Sequence, residues 1–325
     1  MTDEVAKAKQ DFEAAVLALE KRRKSRVFAI IHDFNSAEIQ THHICGPCFH
    51  SVLRNREQFD NIKTLEVVIH SPGGHADIAY RVARFFRAHC EQLNFIVPMA
   101  AKSAATSLCA AGKKIYMGEL AELGPLDVQL TDEFERGKRP FSPLDEFKSM
   151  EFLREYATEF LDYFTFVLTD RGLSVKQALH ESIPAVASMT NPLFAHIDPS
   201  KVGSYRRNLA EGEEYARRLL KQTGNPRTED LVQRLVWKYP VHDFVIDYAE
   251  ALEMGLPVAL LNSAEEKLLI PAIQGMLRYG IPYSGFVTPI VAKARRTVAA
   301  KKPQPKRAPG RVQVRAKAQP APVAV

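Results

Sequence analysis

The chain has few cysteines, four in 325 residues. That is too few for a disulfide scaffold, so reduced thiols are expected. No run approaches about 18 consecutive apolar residues, so no membrane-spanning helix is expected. The first residues, MTDEVAKAKQDFEAA, carry charges where a signal peptide would carry its apolar core, and a cytoplasmic location is the default. No internal repeat is found. Apolar residues at 46% and charged residues at 25% are ordinary values, which excludes a wholly disordered, collagen-like or coiled-coil chain. The most informative absence is of acid near the end. Residues 293–325 hold ten Lys or Arg and no Asp or Glu, leaving 34 basic and 38 acidic residues in 1–292. The body therefore has a net charge of −4, and the overall +6 comes from the tail. Rich in Pro, Ala, Lys and Arg, the tail cannot build a core and is expected to be disordered. Its uncompensated charge is expected to attract polyanions without sequence preference, the alternative being a solvated, solubilising extension.

What the body does contain is alternation. Residues 3–24 place Val5, Phe12, Val16 and Leu19 at helical spacing. RVFAII at 26–31, LEVVI at 65–69, NFIVPM at 94–99 and Ile115 to Met117 read as strands. Helices are expected over 76–89 and 104–111. Strands alternating with helices imply parallel βαβ units with right-handed crossovers. From about residue 143 the pattern is helical, over 143–171, 174–187, 204–222, 228–238 and 247–254. Residues 132–143 read as an exposed loop.

The unit from Leu65 to Gly112 carries the chemistry. It runs strand, SPGG, helix, strand, AKSAAT, helix. A parallel crossover brings the carboxyl ends of both strands to one sheet edge, where open α/β sheets bind ligands. Gly73-Gly74 then ends one strand and Ser103 the other. Glycine leaves backbone amides uncovered, and Ser103 opens a helix whose first amides are unpaired. Gly74 and Ala104 could donate to an oxyanion beside a hydroxyl nucleophile. A side chain at Gly74 would be expected to crowd the acyl position. Separately, SPGG is a common turn and a Ser before a helix is commonly an N-cap; their pairing in one βαβ unit is the specific signal.

HSPGG at 70–74, AKSAAT at 101–106, ELGPLDVQ at 122–129 and VHDFVIDYAEALEMGLPV at 241–258 together resemble the serine dehydrogenase proteinase family. That family is similar to the signal-peptide peptidase SppA and the Clp protease, within the ClpP/crotonase fold. The resemblance covers roughly residues 25–260. It implies an α/β, ClpP/crotonase-like fold, a serine peptidase with Ser103 as nucleophile, an oxyanion hole from Gly73, Gly74 and Ala104, a homo-oligomer, a peptide or protein substrate, and no cofactor. The domains expected are an N-terminal helix (1–25), the protease domain (26–262), a C-terminal extension (263–292) and the tail (293–325), with the additional helices lying toward the C-terminus.

The general base departs from the Clp pattern, because AELGPLD contains no His. A serine hydroxyl is a weak nucleophile until a base takes its proton. His242, His70, Lys102, Lys138 and Lys148 are the candidates. His242 is favoured: it lies in the family's own His-Asp motif, and imidazole titrates near neutrality without burial. Lys138 or Lys148 would form a Ser–Lys dyad but must be desolvated. Asp243 should face away from His242 in extended chain, which leaves Asp127 as the better third member; Asp127 is equally readable as a turn residue after Pro125.

His42, His43, Cys45, Cys48 and His50 cluster around CGPC, at spacings that suit zinc or dithiol redox chemistry. No second pair follows, since Cys90 and Cys109 are single and expected on helices. No metal is assigned, and the segment reads as a loop entering a helix with Cys48, Val52 and Leu53 inward. Aromatic residues at 152, 156, 160, 163, 164 and 166 have core or subunit-contact spacing. Two rival functions remain open: a non-catalytic oligomeric scaffold that has lost its base, and a crotonase-like acyl-thioester enzyme, against which Ser103 speaks.

Overall fold

The computed structural model describes residues 2–38, 40–126 and 142–287. Asp127, Lys138 and the basic tail, with the expectations attached to them, lie outside the described residues.

Helix α1 (Thr2–Arg23) leads into β1 (Arg26–Ile31), followed by α2 (Gly46–Arg54), β2 (Ile62–His70), α3 (Ala76–Ala88), β3 (Cys90–Val97), β4 (Ala100–Ala101), α4 (Ala104–Cys109), β5 (Lys114–Met117) and β6 (Glu122–Leu123). Then come α5 (Pro143–Asp170), α6 (Val175–Phe194), α7 (Pro199–Gln222), α8 (Thr228–Gln233) with a π-turn over Arg234–Lys238, α9 (Tyr248–Met254), β7 (Val258–Leu260), α10 (Ser263–Arg278) and β8 (Tyr283–Phe286). The main sheet has the order β7-β5-β3-β2-β1-β8. Its pairings are parallel except β8, which runs antiparallel to β1.

From β1 to β7 the strands step in one direction across the sheet. Right-handed crossovers that all step one way place their helices on one face. The core agrees. Cys48 and Val52 of α2, Val82 and Phe86 of α3, and Ala105 and Leu108 of α4 bury with Val67, Ile69 and Phe95. On the other face Phe12, Val16 and Leu19 of α1 meet Leu269, Ile273 and Met276 of α10 over Ile31 and Val68. Alternate residues of β2 thus serve opposite faces, as strand geometry requires. Arg23 closes the α1–α10 layer with a two-pronged pair to Glu265 (3.0 and 2.6 Å). All these elements fall in one compact unit, residues 1–288.

Several boundaries moved. Cys90 opens a strand instead of lying on a helix. The helix expected over 174–187 runs on to Phe194 through Pro184 and Pro192, although each proline removes one amide donor. Helix α7 starts at Pro199, with the Asp198 side chain accepting from Ser200 and Lys201 amides. Leu53, expected inward, is exposed. The aromatic row on α5 is not core here: Phe152, Tyr163 and Phe166 are 62%, 62% and 69% exposed.

Candidate active site

Beyond the main sheet, the chain ends of β2 and β3 are laced together a second time. The Ser71 amide donates to Ala100 O (3.1 Å), and the Lys102 amide donates to Ser71 O (3.0 Å). Strand β4 pairs in turn with β6. This lacing carries the Gly pair and Ser103 into contact. A Cβ on Gly73 would fall 2.7 Å from Lys102 O, 2.9 Å from Ser103 Cβ and 3.0 Å from Ala104 N. Only glycine fits there, and its φ of +110° independently favours glycine.

Gly74, at φ +144°, is closed in on its other side by Ile44. The two form a parallel β-bridge, with Ile44 N–H donating to Gly73 O (2.7 Å) and His75 N–H donating to Ile44 O (2.9 Å). Those bonds use the groups flanking Gly74, so the Gly74 amide itself points away from Ile44. It donates to no described residue. A Cβ at Gly74, expected above to crowd an acyl group, would strike the Ile44 backbone, 2.5 Å from its O and 2.7 Å from its N. The segment before CGPC therefore walls the site. No sequence signal marks Ile44, because its contribution is backbone alone.

Gly73, expected to serve the oxyanion hole, is already engaged. Its amide donates to Ser71 Oγ at 3.2 Å, so of the pair only Gly74 has an amide unclaimed by a described residue.

Ser103 sits at φ +50°, ψ −121°, outside both helical basins. A non-glycine residue held there stores about 1–3 kcal/mol, and such strain gathers at functional sites. It places the side chain on a sharp strand-to-helix turn, the geometry of a nucleophile elbow. The commoner role for a serine before a helix is capping, but the Ser103 side chain makes no cap hydrogen bond. The Ala105 amide is taken by Lys102 O (2.9 Å), and the Ala104 amide donates to no described residue. The half-buried Ser103 thus stands against Gly73, with the Gly74 and Ala104 amides nearby in the chain and claimed by no described residue. Thr106 rivets the turn, its hydroxyl donating to Ala101 O (2.6 Å) and accepting from the Gly124 amide (3.0 Å).

The candidate bases are distributed unevenly. Lys102 is buried, and its three ammonium donors are met by Glu122 Oε1 (3.1 Å), Phe244 O (3.2 Å) and Leu123 O (3.4 Å). These contacts tie the Ser103 turn to β6 and to the 244 segment. Lys148 donates to Tyr239 O (2.6 Å). His70 shares the β2 face of Val68 and lines a cavity of about 380 Å³ with Phe34, Glu122 and Leu277 of α10, on the sheet face opposite α4. Burial pushes its pKa down to about 4, against the opposing pull of Asp33. His242 is half-buried and Asp243 exposed. Their segment lies close to Ser103's neighbours: Ile246 bridges Leu123 of β6, and Lys102 holds Phe244. Among the described residues, no side chain hydrogen-bonds the Ser103 hydroxyl.

The thiols do not form a reactive centre. Cys45 donates to Gln40 O (2.7 Å), and burial pushes the Cys48 thiol up to about 12, away from the thiolate that redox chemistry needs. Among the described residues no group of three or more His, Cys, Asp or Glu is placed to hold a metal. No described helix is long and apolar enough to cross a membrane.

A strained serine against a glycine pair at the carboxyl edge of a parallel α/β sheet sets a hydroxyl beside unclaimed backbone donors, an arrangement able to support acyl transfer. Residues 3–135 match the family of ClpP-like SDH-type serine proteinases. That portion contains the SPGG and AKSAAT motifs and is similar to the family the motifs resembled; His242 lies beyond the match. Over 68 residues the chain is 41% identical to an uncharacterized protein of Methanocaldococcus jannaschii. The stretch is 21% of this chain and 24% of that protein, so the likeness spans about a quarter of the relative's length.

Proposed function

We propose that the protein is a serine peptidase of the ClpP/crotonase fold acting by acyl transfer. Ser103 attacks a peptide carbonyl, and the oxyanion is held by the Gly74 and Ala104 amides. The amine leaves with a proton, and water then releases the acyl group. Preorganised amides of this kind are worth about 2.7–4 kcal/mol each in the transition state. The proposed protease domain is residues 26–262. His242 is the base we favour, because its segment is tied to β6 and to Lys102, next to the nucleophile. The single observation that carries the reading is the backbone of Ser103, strained at φ +50° with its side chain spent on no cap. The exposed Phe152, Tyr163 and Phe166 of α5 support the homo-oligomer expected from the resemblance.

The test is labelling by a fluorophosphonate probe. The wild type should label and Ser103→Ala should not, with both showing the same thermal midpoint. Equal labelling of the two would refute the assignment. A non-catalytic scaffold is the second reading, favoured by the lack of any described base bonded to the Ser103 hydroxyl; it predicts a well-folded wild type that does not label at all.

A further inference from the structure

Below the Gly pair lies a buried polar pair that the reaction as described does not use. His32 follows β1 and Ser71 follows β2, and both are buried. The Ser71 backbone laces β2 to β4, as described above. Its side chain does something separate: Oγ accepts from the Gly73 amide at 3.2 Å and lies 2.9 Å from His32 Nδ1. A hydroxyl has one proton to give. In this enclosed place His32 Nδ1 is the acceptor within reach, which requires a neutral ring protonated on Nε2. Burial, followed by the nearby His43, His42 and His70, pushes the His32 pKa down to about 3, so the ring is neutral across the physiological range.

Gly73 could point its amide in more than one direction, because nothing on its own side chain restrains it. Ser71 takes that freedom away. With the Gly73 amide fixed inward and the Gly73 carbonyl held by Ile44, the next amide, that of Gly74, lies in the same peptide plane as that carbonyl and points away from Ile44.

We infer that Ser71 and His32 are positioning residues for the oxyanion hole: the chain His32 Nδ1, Ser71 Oγ, Gly73 N–H aims the Gly74 amide at the acyl oxygen. This rests on the hydrolase reading of Ser103. Ser71→Ala removes the acceptor for Gly73. His32→Leu removes the acceptor for Ser71, while His32→Asn offers an oxygen close to the place of Nδ1. Misaiming a donor by about an ångström costs on the order of a hundredfold in rate.

The experiment measures the second-order rate of fluorophosphonate labelling at Ser103, together with kcat and KM on a p-nitrophenyl ester. Ser71→Ala and His32→Leu should label about ten- to a hundredfold more slowly, with kcat reduced and KM unchanged. His32→Asn should recover most of the loss. In the wild type itself, the Gly73 amide should be protected from hydrogen exchange and the Gly74 amide should become protected only after phosphonylation; this readout needs no variant to fold. If the wild type labels, but folded Ser71→Ala and His32→Leu label as fast, the inference fails alone. Rapid exchange of Gly73 in the wild type also overturns it. A wild type that does not label overturns the hydrolase reading and the inference together.

Discussion

Acidification should destabilise this protein steeply, and the source can be assigned to two residues. His32 and His70 are enclosed on opposite faces of the sheet at the ends of β1 and β2. Their folded pKa values are about 3 and about 4, against an ordinary 6.5. Protonation therefore favours the unfolded chain. The associated stability is fully present above pH 6.5 and is lost as pH falls, the loss being complete near pH 4 for His70 and near pH 3 for His32. Each group contributes about 1.4 kcal/mol per pH unit within its window. From pH 6.5 to 4.5 the two together remove about 5 kcal/mol, comparable with the whole stability of a domain, about 5–15 kcal/mol. Glu66 acts in the opposite sense, since burial pushes its carboxyl up despite Arg23 and its protonation favours the fold. Urea unfolding at half-unit steps from pH 7.5 to 4.5 measures the slope. The wild type should lose stability throughout the lower part of that range, and His70→Gln should remove about half the slope. A midpoint that stays level from pH 7 to 5, or a slope unchanged in His70→Gln, would refute the reasoning.

Three further outcomes are expected. Gly74→Ala should lower the thermal midpoint as well as the labelling rate, because its Cβ meets the Ile44 backbone; a cost on the order of 1–3 kcal/mol follows from the forced φ alone, and an unchanged midpoint in a melting experiment would contradict the bridge. His242→Gln should reduce ester hydrolysis by about a hundredfold or more, the range for a general base, with folding intact; activity within a fewfold of wild type would move the role to another residue. Deleting 293–325 should abolish retention on heparin at low salt and leave ester hydrolysis unchanged, since each phosphate contact adds about −0.9 to the salt slope on duplex DNA; equal retention of the shortened chain would place the binding in the body.

The order of the main-sheet strands and their helices through residue 117 was legible because burial on one or two faces writes a period into the sequence, while the two-residue β4 was too short to show one. The parallel sheet followed from the alternation, and the Ser103–Gly pair followed from SPGG and AKSAAT both falling at strand ends. A different kind of information was needed for the rest. Strand β8 is four residues, Tyr283–Phe286, too short for a period to declare itself, and it becomes a strand because β1 offers an open edge. Ile44 walls Gly74 through backbone groups that every residue possesses. Ser71 looks like any serine before Pro-Gly-Gly, and His32 like any histidine after a strand. They become a pair because β1 and β2 run parallel in register, Ile31 beside His70, which sets the next residues side by side. Local sequence determined which segments pair and which residues could do chemistry. Only the packed sheet decided which amides near the serine are already bonded, because the direction of an N–H is fixed by its partners across the fold and not by the residue that carries it.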